Sequence, residues 1–301
     1  MNREWTDFRL IATHDIRDAL RSRRLIVWLV LYLCIAIGGT VIFCQVLRVV
    51  EKEIARVVAV DTPDKAGAVT DSIQKSENFK GIVNNLIEDD SLANQLLTLP
   101  PLVLFFGWFS FTFMPLLVIL LCSDIIARDI NSRFVRFVLF RTSRAAYASG
   151  KAISAAGLLL VALFVSALAT MIVGAMRLHD FHAMAVLPHM MLFVVKCWLY
   201  SLAFLGIALM ASQLRNSPMR AQILALITYL FLIILSPIAA YRTGPGWARL
   251  WELGTLISPA SNVSGLWMPD PVANLKAGAF CIGLGLFYFT LGFLSFSRKD
   301  L

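Results

Sequence analysis

Charge is scarce in this sequence. Asp, Glu, Lys and Arg make up 15% of its 301 residues, against about a quarter in soluble domains, while hydrophobic residues reach 58% and mean hydropathy +0.75. That balance excludes a soluble globular domain. Histidine is rarer still, and three of the four, His179, His182 and His189, lie with Asp180 in one short polar stretch. Their spacing matches no zinc motif, so no metal is expected there. The five cysteines, Cys34, Cys44, Cys122, Cys197 and Cys281, lack CxxC or Cys/His spacing and fall in or at the edge of apolar runs. They read as small core or lipid-facing residues. Gly150-Lys151 looks like the end of a phosphate loop, but Ala145 stands where that motif needs its first glycine and Ala152 where it needs Ser or Thr. Without that glycine the loop of N–H groups cannot form, and without the hydroxyl nothing holds Mg²⁺. Nor do the apolar runs contain the clustered His, Asp, Glu or Ser of an intramembrane enzyme, so no catalytic residue and no bound cofactor is expected on this chain.

Long apolar runs are what the sequence has instead. Six occur, at about 25–47, 102–122, 152–175, 186–211, 221–241 and 277–296, each long enough as a helix to cross a hydrocarbon core of about 30 Å. The expected fold class is therefore all-α, a polytopic membrane protein with six spans. Residues 1–24 precede the first run as an amphipathic helix. Trp5, Phe8, Ala12, Ile16, Ala19 and Leu20 share one face, and Arg9, Thr13, Arg17 and Arg21 the other, which suits a helix lying in the headgroup plane. The 25–47 run is too long for a signal-peptide core and is read as a retained span. Residues 48–101 carry six Lys/Arg and nine Asp/Glu. Arg48 to Val60 is expected to continue the first helix, Thr62-Pro63-Asp64 to break it, and Ile82, Val83, Leu86 and Ile87 to mark a second amphipathic piece. The expectation is a helical extracytoplasmic hairpin.

Basic residues set the orientation. Sixteen of the 27 Lys and Arg fall in 1–24, 123–151, 212–220 and 297–301. Flanking Lys and Arg resist translocation, so these segments and both termini are placed in the cytoplasm. The net charge of +8 sits beside the spans, where it serves orientation and anionic lipid; a nucleic-acid partner is not expected. Within the spans, Lys196 is the one clear charge, a candidate for snorkelling, for pairing with an outer acidic residue, or for the substrate path. Pro115 and Pro237 are candidate bends beside that path. Gly38, Gly39, Gly278, Gly283, Gly285 and Gly292 are read as points of close helix approach. Hydroxyls such as Ser154, Ser201, Ser212 and Thr228 are expected to back-bond to helix carbonyls or to join helices. The outer segment 242–276 mixes Pro245, Pro259, Pro269 and Pro271 with Trp247, Trp251 and Trp267, and reads as short helices dipping back into the outer interface.

The organising stretch is 123–151, SDIIARDINSRFVRFVLFRTSRAAYASGK. Arg128, Arg133, Arg136, Arg141, Arg144 and Lys151 face only Asp124 and Asp129. Ile126, Ile130, Phe134 and Phe137 recur at helical spacing and predict one greasy face. The reading is a cytoplasmic helix-turn-helix that receives force from a soluble partner. Asp129, Asn131-Ser132, Val138-Leu139, Arg141-Thr142-Ser143-Arg144 and Gly150-Lys151 also form a pattern. Together with the six-span layout, it resembles the membrane subunits of type-2 ATP-binding-cassette (ABC) transporters. Two positions depart from the usual pattern: Asp129 stands where Glu is commoner and Arg141 where Pro is frequent.

That resemblance implies a permease subunit without an engine of its own, probed through a coupling helix near Asp129, Ser132, Arg133, Arg136, Arg141 and Arg144. It implies an ATPase partner holding ATP and Mg²⁺, and a second permease copy, alike or similar, in the bilayer. It further suggests export of a hydrophobic or amphiphilic substrate, and a bacterial inner membrane. Two alternatives stay open on the residues alone: a membrane-embedded enzyme, and a six-span assembly scaffold that uses the loop only for docking.

Overall fold

Proline and small polar residues at the turning points start the long helices. The computed structural model describes residue 13 and residues 23–58, 99–179, 181–241, 254–268 and 270–299; for 23–25, 28, 53–58 and 236–241 the backbone alone is described. The expected interfacial helix of 1–24 lies almost wholly outside these residues, and so does 59–98 of the hairpin expected over 48–101. In order come α1 (Arg23–Val58), α2 (Pro101–Cys122), α3 (Ile125–Asn131), α4 (Phe134–Leu139), α5 (Arg144–Arg177), α6 (Ala183–Leu214) and α7 (Pro218–Tyr241). A helical turn at 254–257 and a 3₁₀ turn (Pro259–Asn262) then lead to α8 (Val263–Trp267) and α9 (Pro271–Ser297). No strand occurs among the described residues, and six helices are long and apolar enough to cross a membrane. The chain is an all-α, six-span membrane protein.

Local chemistry explains the helix starts. Asp270 accepts from the N–H groups of Val272 (3.0 Å) and Ala273 (3.2 Å), and Pro271 takes the first position, where its missing N–H costs nothing. Pro101 opens α2 in the same way. Ser143 caps α5 by accepting from Ala146 N–H at 3.2 Å. Helix α1 runs unbroken from Arg23 to Val58, roughly 54 Å, so it continues well past the apolar run that defines its span. Pro115 and Pro237 lie inside α2 and α7, and neither helix is interrupted there.

α6 is the centre. It packs against α2, α5, α7 and α9, and Phe193, Phe204, Met190 and Ile207 on it are fully enclosed. Large apolar side chains on the outer helices, such as Ile42, Val161, Ile172, Ile227 and Leu286, are exposed, as lipid-facing positions should be. The tightest seam joins α6 to α9. A Cβ added at Gly285 would stand 2.6 Å from the carbonyl oxygen of Leu202, and one at Gly206 would overlap the carbonyl oxygen of Gly285. At Gly292 an added Cβ would overlap Gln213 Oε1 and meet Met210 Cα at 2.7 Å. Small residues let two backbones touch in this way. Two of the glycines read as packing points, Gly38 and Gly283, meet no neighbour among the described residues. Gly206, not singled out by sequence, carries the seam instead.

A pair of substitutions separates the two kinds of glycine. Gly285→Leu has to push α6 and α9 apart and should cost about 3 kcal/mol or more, by overpacking against backbone that cannot yield. Gly283→Leu, two residues away and on the opposite, open side of the helix, should leave the melting temperature of the detergent-solubilised protein within a degree or two of the parent (about 0.5 kcal/mol or less). Thermal unfolding followed by circular dichroism reads the difference.

Candidate functional site

The α2–α5 connection holds the chemistry that the sequence pointed to, and its residues divide into two sets. One set points into the protein. Asp129, on α3, accepts a hydrogen bond from the Tyr147 hydroxyl at 2.5 Å and an ion pair from Lys151 Nζ at 3.0 Å, both partners lying on α5. The lysine also sits 5.7 Å above the Tyr147 ring centroid. The pair is well shielded, with side-chain exposures of 18% for Asp129 and 11% for Lys151, so its attraction is less screened than that of a surface pair. Ser132 bonds locally, its hydroxyl donating to the Asp129 carbonyl at 3.2 Å.

Ser212 ties down the other end of α3. Asp124 occupies the N-cap position but makes no capping bond. The hydroxyl oxygen of Ser212, at the C-terminal end of α6, accepts from the N–H groups of Ile126 (2.9 Å) and Ala127 (3.0 Å). A helix start normally uses a neighbour in sequence for this; here the cap comes from 85 residues away. Ser154, Ser201 and Thr228 do back-bond within their own helices, to Lys151, Trp198 and Leu224. α3 is thus fixed to α5 by Asp129 and to α6 by Ser212.

Arg144 also turns inward. Its Nη1 donates to the carbonyls of Phe296 (3.1 Å), Ser297 (2.5 Å) and Lys299 (3.0 Å), covering the unsatisfied C-terminal end of α9. In the Arg-Thr-Ser-Arg element each residue therefore has its own task. Thr142 donates to the Val138 carbonyl at 2.9 Å, Ser143 caps α5, Arg144 caps α9, and Arg141 is exposed.

The second set points outward, and here the expected single greasy face is corrected. The helix breaks at Ser132–Arg133, with Arg133 in the left-handed conformation (φ 60°), a geometry costing about 1 kcal/mol for a residue other than glycine. Beyond the break the faces no longer align. Ile126 is fully buried, whereas Phe134, Phe137 and Phe140 are 49%, 72% and 87% exposed. Arg133, Arg136 and Arg141 are exposed beside them, and Val135 is the one buried residue of α4. Three bare phenylalanines among three arginines make a patch suited to a protein partner.

Lys196 lies elsewhere. It is 3% exposed, roughly 20 Å along α6 from Ala183. Its ammonium donates to the carbonyl of Met268 at 3.4 Å and lies 5.3 Å over the Phe193 ring. Asn274 donates to the same carbonyl at 3.1 Å. It makes no ion pair among the described residues, and its reach is spent on the segment following α8. Trp267 of that segment packs against Phe111 and Phe193 at centroid distances of 5.5 and 5.1 Å, and Leu266 is fully buried. Ser258 donates to the Leu232 carbonyl (3.0 Å) and Tyr288 to that of Ile257 (2.8 Å). The 254–268 part of the outer segment therefore packs among the span helices; 242–253 lies outside the described residues. No group of three His, Cys, Asp or Glu able to hold a metal occurs among the described residues, and Asp180 is not among them. The five cysteines are unpaired.

Six apolar helices with a braced, basic connection between α2 and α5 are one layout among many. The deciding observation is a match of residues 9–301 to the family model described as ABC-2 family transporter protein. The chain belongs to the ABC-2 transporter family. Compared with individually curated proteins, the sequence finds no match. This ABC-2 chain is an integral membrane permease subunit of an ABC transporter, the transport component and not the catalytic one. Membership implies association with an ABC ATPase subunit. Tyr147 is the part of the α2–α5 connection that sequence reading did not assign. It does have a signal: a tyrosine one helical turn before Lys151 places both over the same partner. Ser212, expected to back-bond or to join helices, joins α6 to α3.

Proposed function

We propose that this ABC-2 permease exports a hydrophobic or amphiphilic substrate as a dimer, with a second copy or a similar chain, above two ATPase subunits that hold the ATP and Mg²⁺. The ATPase grips α4. The observation that carries this is the exposed Phe134, Phe137 and Phe140 amid Arg133, Arg136 and Arg141, on a helix one turn away from a segment bonded to two spans. Aromatic and arginine side chains are the residues that dominate protein interfaces. Force applied at α4 passes to α3, and from there to α5 through Asp129 and to α6 through Ser212. The route for substrate lies between the two copies, with Pro115 and Pro237 on helices that can flex beside it. Both termini face the cytoplasm of a bacterial cell, a placement supported by the Lys/Arg bias of the inner segments.

The test uses the complex. Arg133→Glu with Arg136→Glu should abolish co-purification with the ATPase subunit and ATP-driven efflux from proteoliposomes, while the permease alone keeps its gel-filtration profile. Undiminished capture of the ATPase by that variant, or substrate turnover by the permease alone, sinks the reading.

A further inference from the structure

A second basic feature lies on the inner side, away from α4. Where α6 ends, α7 begins and the tail leaves α9, an open cleft of about 470 Å³ is lined by Asn131, Arg215, Asn216, Ser217, Arg220 and Lys299, with Leu214 at its edge. Three separate stretches of chain contribute to it. None of the described residues lining it is acidic, and neither Arg215 nor Arg220 makes an ion pair among the described residues. Lys299 Nζ donates to Asn216 Oδ1 at 2.6 Å, which fixes the ammonium in the cleft and leaves two of its three donors for another acceptor. Partial burial, and then the neighbouring Arg215 guanidinium, push Lys299 below the usual lysine value. Two cations are held together there, and no acidic side chain stands among the described residues that line the cleft.

The helix ends sharpen the argument. The first turn of α7 faces the cleft through Ser217 and Arg220, and the N–H groups of a helix's first turn have no partner within the helix. The C-terminal carbonyls of α9 would repel an anion, but Arg144 already covers those of Phe296, Ser297 and Lys299.

What the cleft adjoins indicates the source of the anion. Lys299 also lines a second open cleft, with Leu294, Ser295 and Arg298. Above it on α9, Leu294, Leu291 and Phe287 are exposed at helical spacing. On α7, Ile223, Ile227, Leu230 and Ile234 are exposed above Arg220 in the same manner. Cationic groups at the inner ends of spans, with bare apolar stripes leading away from them, match a molecule that has a charged head and greasy tails.

We propose that this cleft binds the phosphate of an anionic membrane phospholipid, gripped by Arg215, Arg220 and Lys299, with its acyl chains along the exposed apolar side chains of α9 and α7. Because Asn131 closes α3, a bound headgroup would join the coupling segment to the start of α7 and to the tail. The site stands on this geometry alone and does not require the export reading.

Native mass spectrometry of the intact, delipidated permease tests it, with phosphatidylglycerol and phosphatidylcholine titrated separately. Phosphatidylglycerol should be retained in preference. Arg215→Gln with Arg220→Gln and Lys299→Gln should weaken its retention by roughly fivefold for each cation removed, leaving phosphatidylcholine unchanged. Arg215→Lys with Arg220→Lys should keep most of the preference, which guards against a loss caused by misfolding. Competition by millimolar inorganic phosphate that displaces the lipid completely would overturn the proposal in favour of a free anion. Undiminished phosphatidylglycerol retention by the triple Gln variant would overturn it outright. So would a triple variant that keeps its lipid but loses the ATPase, since the cleft would then serve a protein partner.

Discussion

Phe137→Asp with Phe140→Asp should release the ATPase subunit from this permease without unfolding it. Both side chains are mostly exposed, at 72% and 87%, so the isolated chain loses almost no buried apolar area when they change. Substitutions at such positions usually move stability by less than about 0.5 kcal/mol. In the complex the same rings would be enclosed. Aromatic anchors at the centre of an interface cost about 2 kcal/mol or more each on truncation, and a carboxylate forced into the same place adds desolvation. Two such changes together correspond to a loss of at least about a thousandfold in affinity. Pull-down of the ATPase and thermal melting of the permease, measured on the same preparation, check both halves. A variant that still captures the ATPase at unchanged strength removes α4 as the docking element.

Asp129→Lys should abolish ATP-driven transport, and adding Lys151→Asp should restore a substantial part of it. The single change leaves two ammonium groups facing each other where a shielded ion pair stood at 3.0 Å. Breaking such a pair while leaving one charge behind costs about 3 kcal/mol, enough to loosen α3 from α5. The exchange returns opposite charges to the same gap. Tyr147 tolerates either arrangement, because a phenol that donates to a carboxylate can also accept from an ammonium. The readout that separates force transfer from mere folding is the ratio of efflux to ATP hydrolysis in proteoliposomes. The single variant should still bind the ATPase through α4, and ATP should be consumed with little transport; the exchanged pair should bring the ratio back. Equal failure of the single and double variants would show that Asp129 acts otherwise than through Lys151.

The six spans were legible because apolar length is a one-dimensional property: 20 or so uncharged residues need no partner to be recognised. The inner connection was legible in its chemistry but not in its orientation. Arg136 and Arg144 look alike in sequence, yet one is exposed and the other caps α9, a helix beginning more than a hundred residues later. The phased Ile126, Ile130, Phe134 and Phe137 promised one stripe, and a left-handed residue at Arg133 divided it. Nothing in an arginine announces a positive φ, whereas glycine or asparagine there would have. Gly206 was illegible for a related reason, and so was the identity of the helix that Ser212 joins. Each meets a backbone group brought to it by folding, and pattern along the chain carries no trace of that.

Gly206 and Gly285 leave no side chain between α6 and α9 along their seam. Such a joint has no slack: sliding or twisting one helix against the other drives a carbonyl into main-chain atoms. The two helices form a single beam, clamped away from Ser212 where Lys196 and Asn274 share one oxygen. A push delivered to α3 would enter that beam through Ser212 at its other end, and it could leave only as tilt of the whole.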